Sequence, residues 1–140
     1  MKEDLGRQVK IAGTQFVKKF DKFASQYNLT STQMGVIDFL SYHPNEEMFQ
    51  KDIEKEFYIR RSTASTLLQR METKRLLKRV PSKIDGRLKQ VILTDKALSY
   101  CDAITQFMDD NQRFIHQHFS DDEYESLLNS LDKLIKIMGD

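Results

Sequence analysis

At 140 residues, with 39% hydrophobic and 31% charged side chains, the chain has the material for one packed core under a soluble surface. No apolar run approaches the ~20 residues that a bilayer span requires. The opening residues lack the continuous apolar stretch of a secretory signal, and a single cysteine, Cys101, leaves no internal disulfide, so a reducing cytoplasm is the expected setting.

The net charge of +1 conceals a segregation. From Arg60 to Lys89 ten Lys or Arg stand against two acids, a balance of +8, while the remainder carries −7. A solvated charged surface does not by itself predict a centre so poor in acids. A face that meets a polyanion does.

In chain order, Leu5, Val9, Ala12, Phe16, Phe20, Phe23 and Tyr27 fall at steps of three and four, which predicts a long amphipathic helix. Asn28-Leu29-Thr30-Ser31 interrupts it, with Thr30 or Ser31 as N-cap of a second helix that buries Val36, Ile37 and Leu40 and runs to about Tyr42. Pro44 ends that helix, because the residue before a proline is driven out of helical geometry. A short helix over about Gln50 to Phe57 follows, burying Ile53 and Phe57.

The next helix, about Ser62 to Thr73, places Ala64, Leu67, Leu68 and Met71 on one apolar stripe. Ser62, Thr66, Gln69 and Thr73 then lie on the opposite side, flanked by Ser65 and Arg70. Hydroxyl side chains are indifferent helix formers, so four within Ser62 to Thr66 call for a use other than helix stability. Beyond Lys74 the period changes. Two branched runs, Leu76–Pro81 and Leu88–Leu93, flank Asp85-Gly86, a pair that predicts a tight hairpin turn. Thr94 is expected to cap one helix through Leu98, Cys101, Ile104 and Met108 toward Phe114 and Ile115. Ser120 and Glu123 form a capping box for a last helix with Tyr124, Leu127, Leu128, Leu131, Ile135 and Met138 on its apolar side.

The fold class that follows is mainly α, a winged helix-turn-helix with N- and C-terminal helices forming a dimerisation region. Its partition is a lobe over residues 30–94 and helical dimerisation segments over 1–29 and 95–140. The terminal helices carry Phe16, Phe20, Phe23, Phe107, Phe114 and Phe119, more aromatic surface than a small basic lobe covers, which points to a homodimer. A helix with its polar side outward fits the major groove of B-DNA, about 12 Å wide. There Gln69 suits adenine and Arg70 suits guanine, while Ser62, Thr63, Ser65 and Thr66 are small enough for close approach. Arg60 and Arg61, at the positive end of the helix dipole, are placed to clamp phosphates. Lys83, Arg87 and Lys89 make the wing basic, with arginine suited to a narrow minor groove. Asp85 and Gly86 shape the tip, Asp85 by pairing with Arg87 or simply as a turn former.

The runs Leu29-Thr30…Gln33…Val36-Ile37, Gln50-Lys51-Asp52-Ile53, Ile59-Arg60-Arg61-Ser62-Thr63-Ala64-Ser65 and Met71 to Arg79 resemble the multiple-antibiotic-resistance regulator (MarR) family. So does Asp85-Gly86-Arg87…Val91-Ile92-Leu93-Thr94. The likeness covers about residues 29–97, and Lys74-Arg75 stands where that family commonly has Lys-Gly. It implies an all-α homodimer with intertwined terminal helices, with Ser62 to Arg70 in the major groove and Arg87 in the minor groove. It also implies a transcriptional repressor, released from double-stranded DNA by a small-molecule effector or an oxidant. Two copies would read a pseudo-palindromic operator with half-sites about 34–36 Å apart, in the nucleoid of a bacterial or archaeal cytoplasm and with no membrane partner.

Relatives that sense peroxide carry their cysteine in the first helix, which has none here. Cys101 shares an apolar stripe with Leu98 and Ile104 and reads as structural. His116 and His118, two apart, point about 200° apart on a helix and do not chelate one ion together. No metal and no cofactor is expected. No nucleophile–His–acid set or phosphate loop is present, so no catalytic residues are assigned and enzyme activity is not expected. The rival reading is a winged helix used for protein or RNA contact without a specific operator.

Overall fold

The structure, a computed structural model, describes residues 4–139. Helix α1 spans Leu5–Ala24 and is extended by a 3-10 turn, Ser25–Tyr27; α2 spans Ser31–Ser41, α3 Gln50–Phe57 and α4 Arg61–Thr73. Strands β1, Leu77–Pro81, and β2, Lys89–Leu93, form an antiparallel hairpin in which Leu77 faces Leu93 and Pro81 faces Lys89. Helices α5, Asp95–Leu98, α6, Cys101–His116, and α7, Asp121–Met138, complete the chain. Among the described residues no helix is long and apolar enough to cross a membrane. Packing separates two compact units between Asp102 and Ala103.

The first unit has a core of its own, built mainly by the elements after α1. Met34, Val36 and Ile37 of α2, Ile53 of α3, Leu68 and Met71 of α4, and Leu76 before β1 are all under 2% exposed, each burial contributing about 1.5–3 kcal/mol. Phe57, expected to be buried, is only half-buried; its ring lies over Gly35, where a Cβ would approach it to 3.2 Å. Thr30 caps α2 in a reciprocal capping box with Gln33. Lys74 Nζ then donates to Asn28 O (2.8 Å) and Gln33 Oε1 (2.9 Å), tying the end of α4 to the start of α2. The helix expected from Thr94 onward is split. Thr94 caps the four-residue α5, and the chain turns at Ser99-Tyr100 before α6, where the Ser99 hydroxyl donates to Lys96 O and competes with the helical ladder.

The hairpin expected around Asp85-Gly86 is present, with loop 82–88 between the strands and a backbone turn at its tip, where Leu88 N–H donates to Asp85 O at 2.9 Å. Gly86 is not in the left-handed region. Side chains brace the bend. Ser82 Oγ accepts from the Ile84 and Asp85 N–H groups, Asp85 Oδ1 accepts from the Arg87 N–H, and Ser82 N–H closes the loop onto Leu88 O. With those bonds available, no glycine with positive φ is required.

In the second unit Ile104 and Asn111 are buried. Ser120 and Glu123 cap α7 reciprocally. No residue of α7 is buried, and Leu127, Leu128, Leu131 and Ile135 are 39–50% exposed.

Candidate nucleic-acid interface

Helix α4 sits against α3 with Ala64, Leu68 and Met71 buried and Leu67 half-buried. That fixes what faces outward: Arg60, Arg61, Ser62, Thr63, Thr66, Gln69 and Arg70 are all exposed. The N-cap is Arg60, in extended conformation and without a side-chain cap, so Ser62 lies within the first turn and does not cap it. The N–H groups of a first turn have no partners inside the helix. Thr73 spends its hydroxyl on Gln69 O.

Ser65 is the exception on this helix. It is half-buried at the α3–α4 seam, where its hydroxyl accepts from Gln50 Nε2 at 2.9 Å. The same amide donates to Arg61 O and Glu54, and its oxygen accepts from Arg79 Nη1. Gln50 therefore joins α3, α4 and β1. Gln50, read from the sequence as a helix start and as part of a family-like run but given no role at the site, helps set how α4 is held.

The two acids of the basic segment are each matched to an arginine. Arg79 Nε lies 3.0 Å from Glu72, and Arg87 meets Asp85 through Nε–Oδ1 and Nη2–Oδ2, both 3.1 Å. The Arg87 fork holds the Asp85 carboxyl below its usual range, and Asp85 in turn raises the guanidinium. Arg87 is nonetheless 91% exposed along its side chain. Lys83 and Lys89 are exposed as well.

Glu47, on the loop between α2 and α3, carries the root of the wing. Its carboxylate accepts from Ser82 Oγ, the Lys83 N–H and Gln90 Nε2. The Ser82 hydroxyl first, then the Lys83 amide, hold the Glu47 carboxyl below its ordinary value. Glu47 and Ser82 were not among the residues the sequence singled out. The partners of Glu47 are 35 to 43 positions away, and no periodicity reports such a distance.

A cleft of about 700 Å³ lies beside this root, lined by Leu40, His43, Met48, Val91, Leu98 and Cys101 among others. Cys101 Sγ donates to Ala97 O, and burial first, then Asp102 and Asp38, push its thiol up, away from the reactive thiolate. His43 lies 3.1 Å from Glu46 and His116 3.0 Å from Asp121. Among the described residues no three His, Cys, Asp or Glu gather as a metal-ion site would require.

Residues 27–88 match the family model described as MarR family. The transcription regulator MarR from Oenococcus oeni PSU-1 is 44% identical over 95% of this chain and 99% of its own, with a TM-score of 0.87. The chain belongs to the MarR family. It is thus a winged-helix transcription regulator and not an enzyme. The HTH-type transcriptional regulator SarZ of Staphylococcus haemolyticus is 26% identical over 125 residues, 89% of this chain and 82% of that one. An S. aureus MepR–DNA complex shares the fold, with a TM-score of 0.88 at 23% identity and coverage of 98% and 99%.

Against the MarR pattern of Lys-Gly, Arg75 occupies the glycine position and adopts φ 61°. The backbone keeps the geometry a glycine would give: Leu76 N–H bonds Met71 O and Arg75 N–H bonds Glu72 O, a Schellman end to α4. The strain stays local, because Thr94 Oγ1 donates to Arg75 O and Lys96 Nζ to Lys74 O.

Proposed function

We propose that the chain is a homodimeric repressor that binds a specific, roughly palindromic operator and is released by a small effector. The observation that carries this reading is the outward face of α4 within the basic segment, beside an exposed basic wing. On it, Gln69 pairs with adenine and Arg70 with guanine, while Ser62, Thr63 and Thr66 allow close approach to base edges. Arg60 and Arg61 take phosphates. Arg87 enters the minor groove with Lys83 and Lys89 beside it, and Asp85 and Gly86 keep the tip in shape. The fold held in common with the MepR–DNA complex supports this docking.

Residues 30–94 form the reading lobe, and 1–29 with 95–140 form the dimerisation region. The apolar row on α7, none of it buried in the single chain, supports a second copy as its cover. The cleft beside the wing supports an effector site, being apolar on one side and next to the residues that hold the wing. Such a regulator works at the nucleoid, in the cytoplasm.

Anisotropy titration of the protein against the DNA upstream of its own gene, beside a scrambled duplex, tests the reading. Preference for the upstream duplex by a thousandfold or more, on the order of specific binders, is expected. Equal affinity for the two overturns it.

A further inference from the structure

We propose that Glu47 is a positioning residue for DNA: it fixes the root of the wing so that Lys83 and Arg87 meet the groove in one geometry. The proposal rests on the DNA-binding reading above and adds a residue outside both the recognition helix and the wing.

A two-stranded hairpin has marginal stability by itself, so its aim depends on what it is tied to. At the loop end of the hairpin the main tie is one carboxylate. Glu47 accepts from Ser82 Oγ at 2.5 Å, from the Lys83 N–H at 2.8 Å and from Gln90 Nε2 at 3.2 Å. Ser82 and Lys83 begin the loop after β1, while Gln90 sits on β2, so Glu47 grips the hairpin from both strands. Ser82, buried to 6% exposure, relays the hold. With its proton committed to Glu47, its oxygen is left to accept from the Ile84 and Asp85 N–H groups, at 3.0 and 3.1 Å. Asp85 in turn grips Arg87. The neighbouring residue adds a backbone bond on the open edge of β2, Val91 N–H to Met48 O at 2.7 Å. An unbroken chain of bonds therefore runs from Glu47 through Ser82 and Asp85 to the guanidinium.

The sign of the expected effect separates this role from a plain electrostatic one. Glu47 sets a negative charge beside Lys83, near the groove of a polyanion. If charge were all that mattered, removing it would tighten binding. Positioning predicts the reverse, since a loosened wing must be ordered again at each binding event.

The experiment uses the full chain as Glu47→Ala, Ser82→Ala, Arg87→Ala and the double variant Glu47→Ala/Arg87→Ala. Each is titrated against the upstream duplex at two salt concentrations, with amide exchange at Lys83, Ile84 and Asp85 followed in the free protein. Glu47→Ala is expected to weaken binding about tenfold, the scale of one charge-assisted hydrogen bond. Ser82→Ala, which changes no charge, should shift it the same way, and both should speed wing amide exchange. In the Arg87→Ala background Glu47→Ala should add little, because both act through one element. Tighter or unchanged binding in Glu47→Ala overturns the proposal, as do losses that multiply in the double variant. If wild-type protein binds scrambled DNA equally, the DNA reading fails instead. The exchange data then judge the tie alone, and unchanged wing exchange in both Glu47→Ala and Ser82→Ala overturns it.

Discussion

The reading lobe and the terminal helix α7 are built from similar amphipathic patterns and end differently. In α4 the stripe Ala64, Leu68 and Met71 disappears into a core shared with α2 and α3. In α7 the stripe Leu127, Leu128, Leu131 and Ile135 stays open. Periodicity states that a helix has an apolar side; it does not state whether the same chain covers it. The lobe finishes its own core, and α7 leaves surface of the kind a second copy removes from water.

The contrast is broken most directly by placing the same charge on both stripes. Leu68→Asp buries an unpaired carboxylate and is expected to cost about 3–5 kcal/mol, read as loss of the cooperative unfolding transition. Leu131→Asp should leave the lobe folded yet convert a two-chain solution mass to one chain by sedimentation, with operator affinity falling about a hundredfold as one half-site is lost. A wild-type mass of one chain at micromolar concentration would erase the distinction between the two stripes.

Within the lobe, the proposed docking gives helix and wing different things to read. Arg70→Ala is expected to relax base preference by about 1–3 kcal/mol at one position, measured by competition with single-base operator variants. Arg87→Ala should weaken upstream and scrambled duplexes alike and reduce the salt slope by about 1. A salt slope identical to wild type would remove Arg87 from the phosphate-contacting set.

Acid should loosen the wing before α4. Glu47 and Asp85 both have carboxyls held below their ordinary values, 4.5 and 3.8. A folded pKa below the unfolded one means that the stabilisation is complete above those ordinary values and is lost as pH falls through the lowered ones. Amide chemical shifts of Lys83 and Arg87 should therefore move at acid pH while those of α4 hold. The smallest effect is at the end of α4. Arg75→Gly relieves the left-handed backbone at φ 61° and should stabilise the chain by about 1 kcal/mol in denaturant unfolding.

Local chemistry was legible in the residues themselves. The Ser120–Glu123 capping box acts within three positions, as does the N-cap of α2, which the residues left between Thr30 and Ser31 and which is Thr30, and the buried and exposed sides of α4 follow from the helical repeat. The Asp85–Arg87 pair lies two positions apart and was within reach for the same reason. Gln50, Glu47 and Ser82 were not. Each is an ordinary polar residue until folding brings it to a partner as many as 43 positions away. The hairpin expected around Asp85-Gly86 is there, but its bracing by Ser82 was not foreseen. The long helix after Thr94 gave way to a break at Ser99-Tyr100.

The order of residues alone determined the helices up to the break after α5, the basic centre, the outward hydroxyls of α4 other than Ser65, and the likeness to MarR regulators, because each is written in spacing, charge or short-range bonding. Tertiary structure alone decided that Ser65 turns to the α3 seam, that the wing hangs from Glu47, and that α7 is left uncovered. Those outcomes depend on which distant groups meet, and the free energy of a meeting belongs to the pair rather than to either residue.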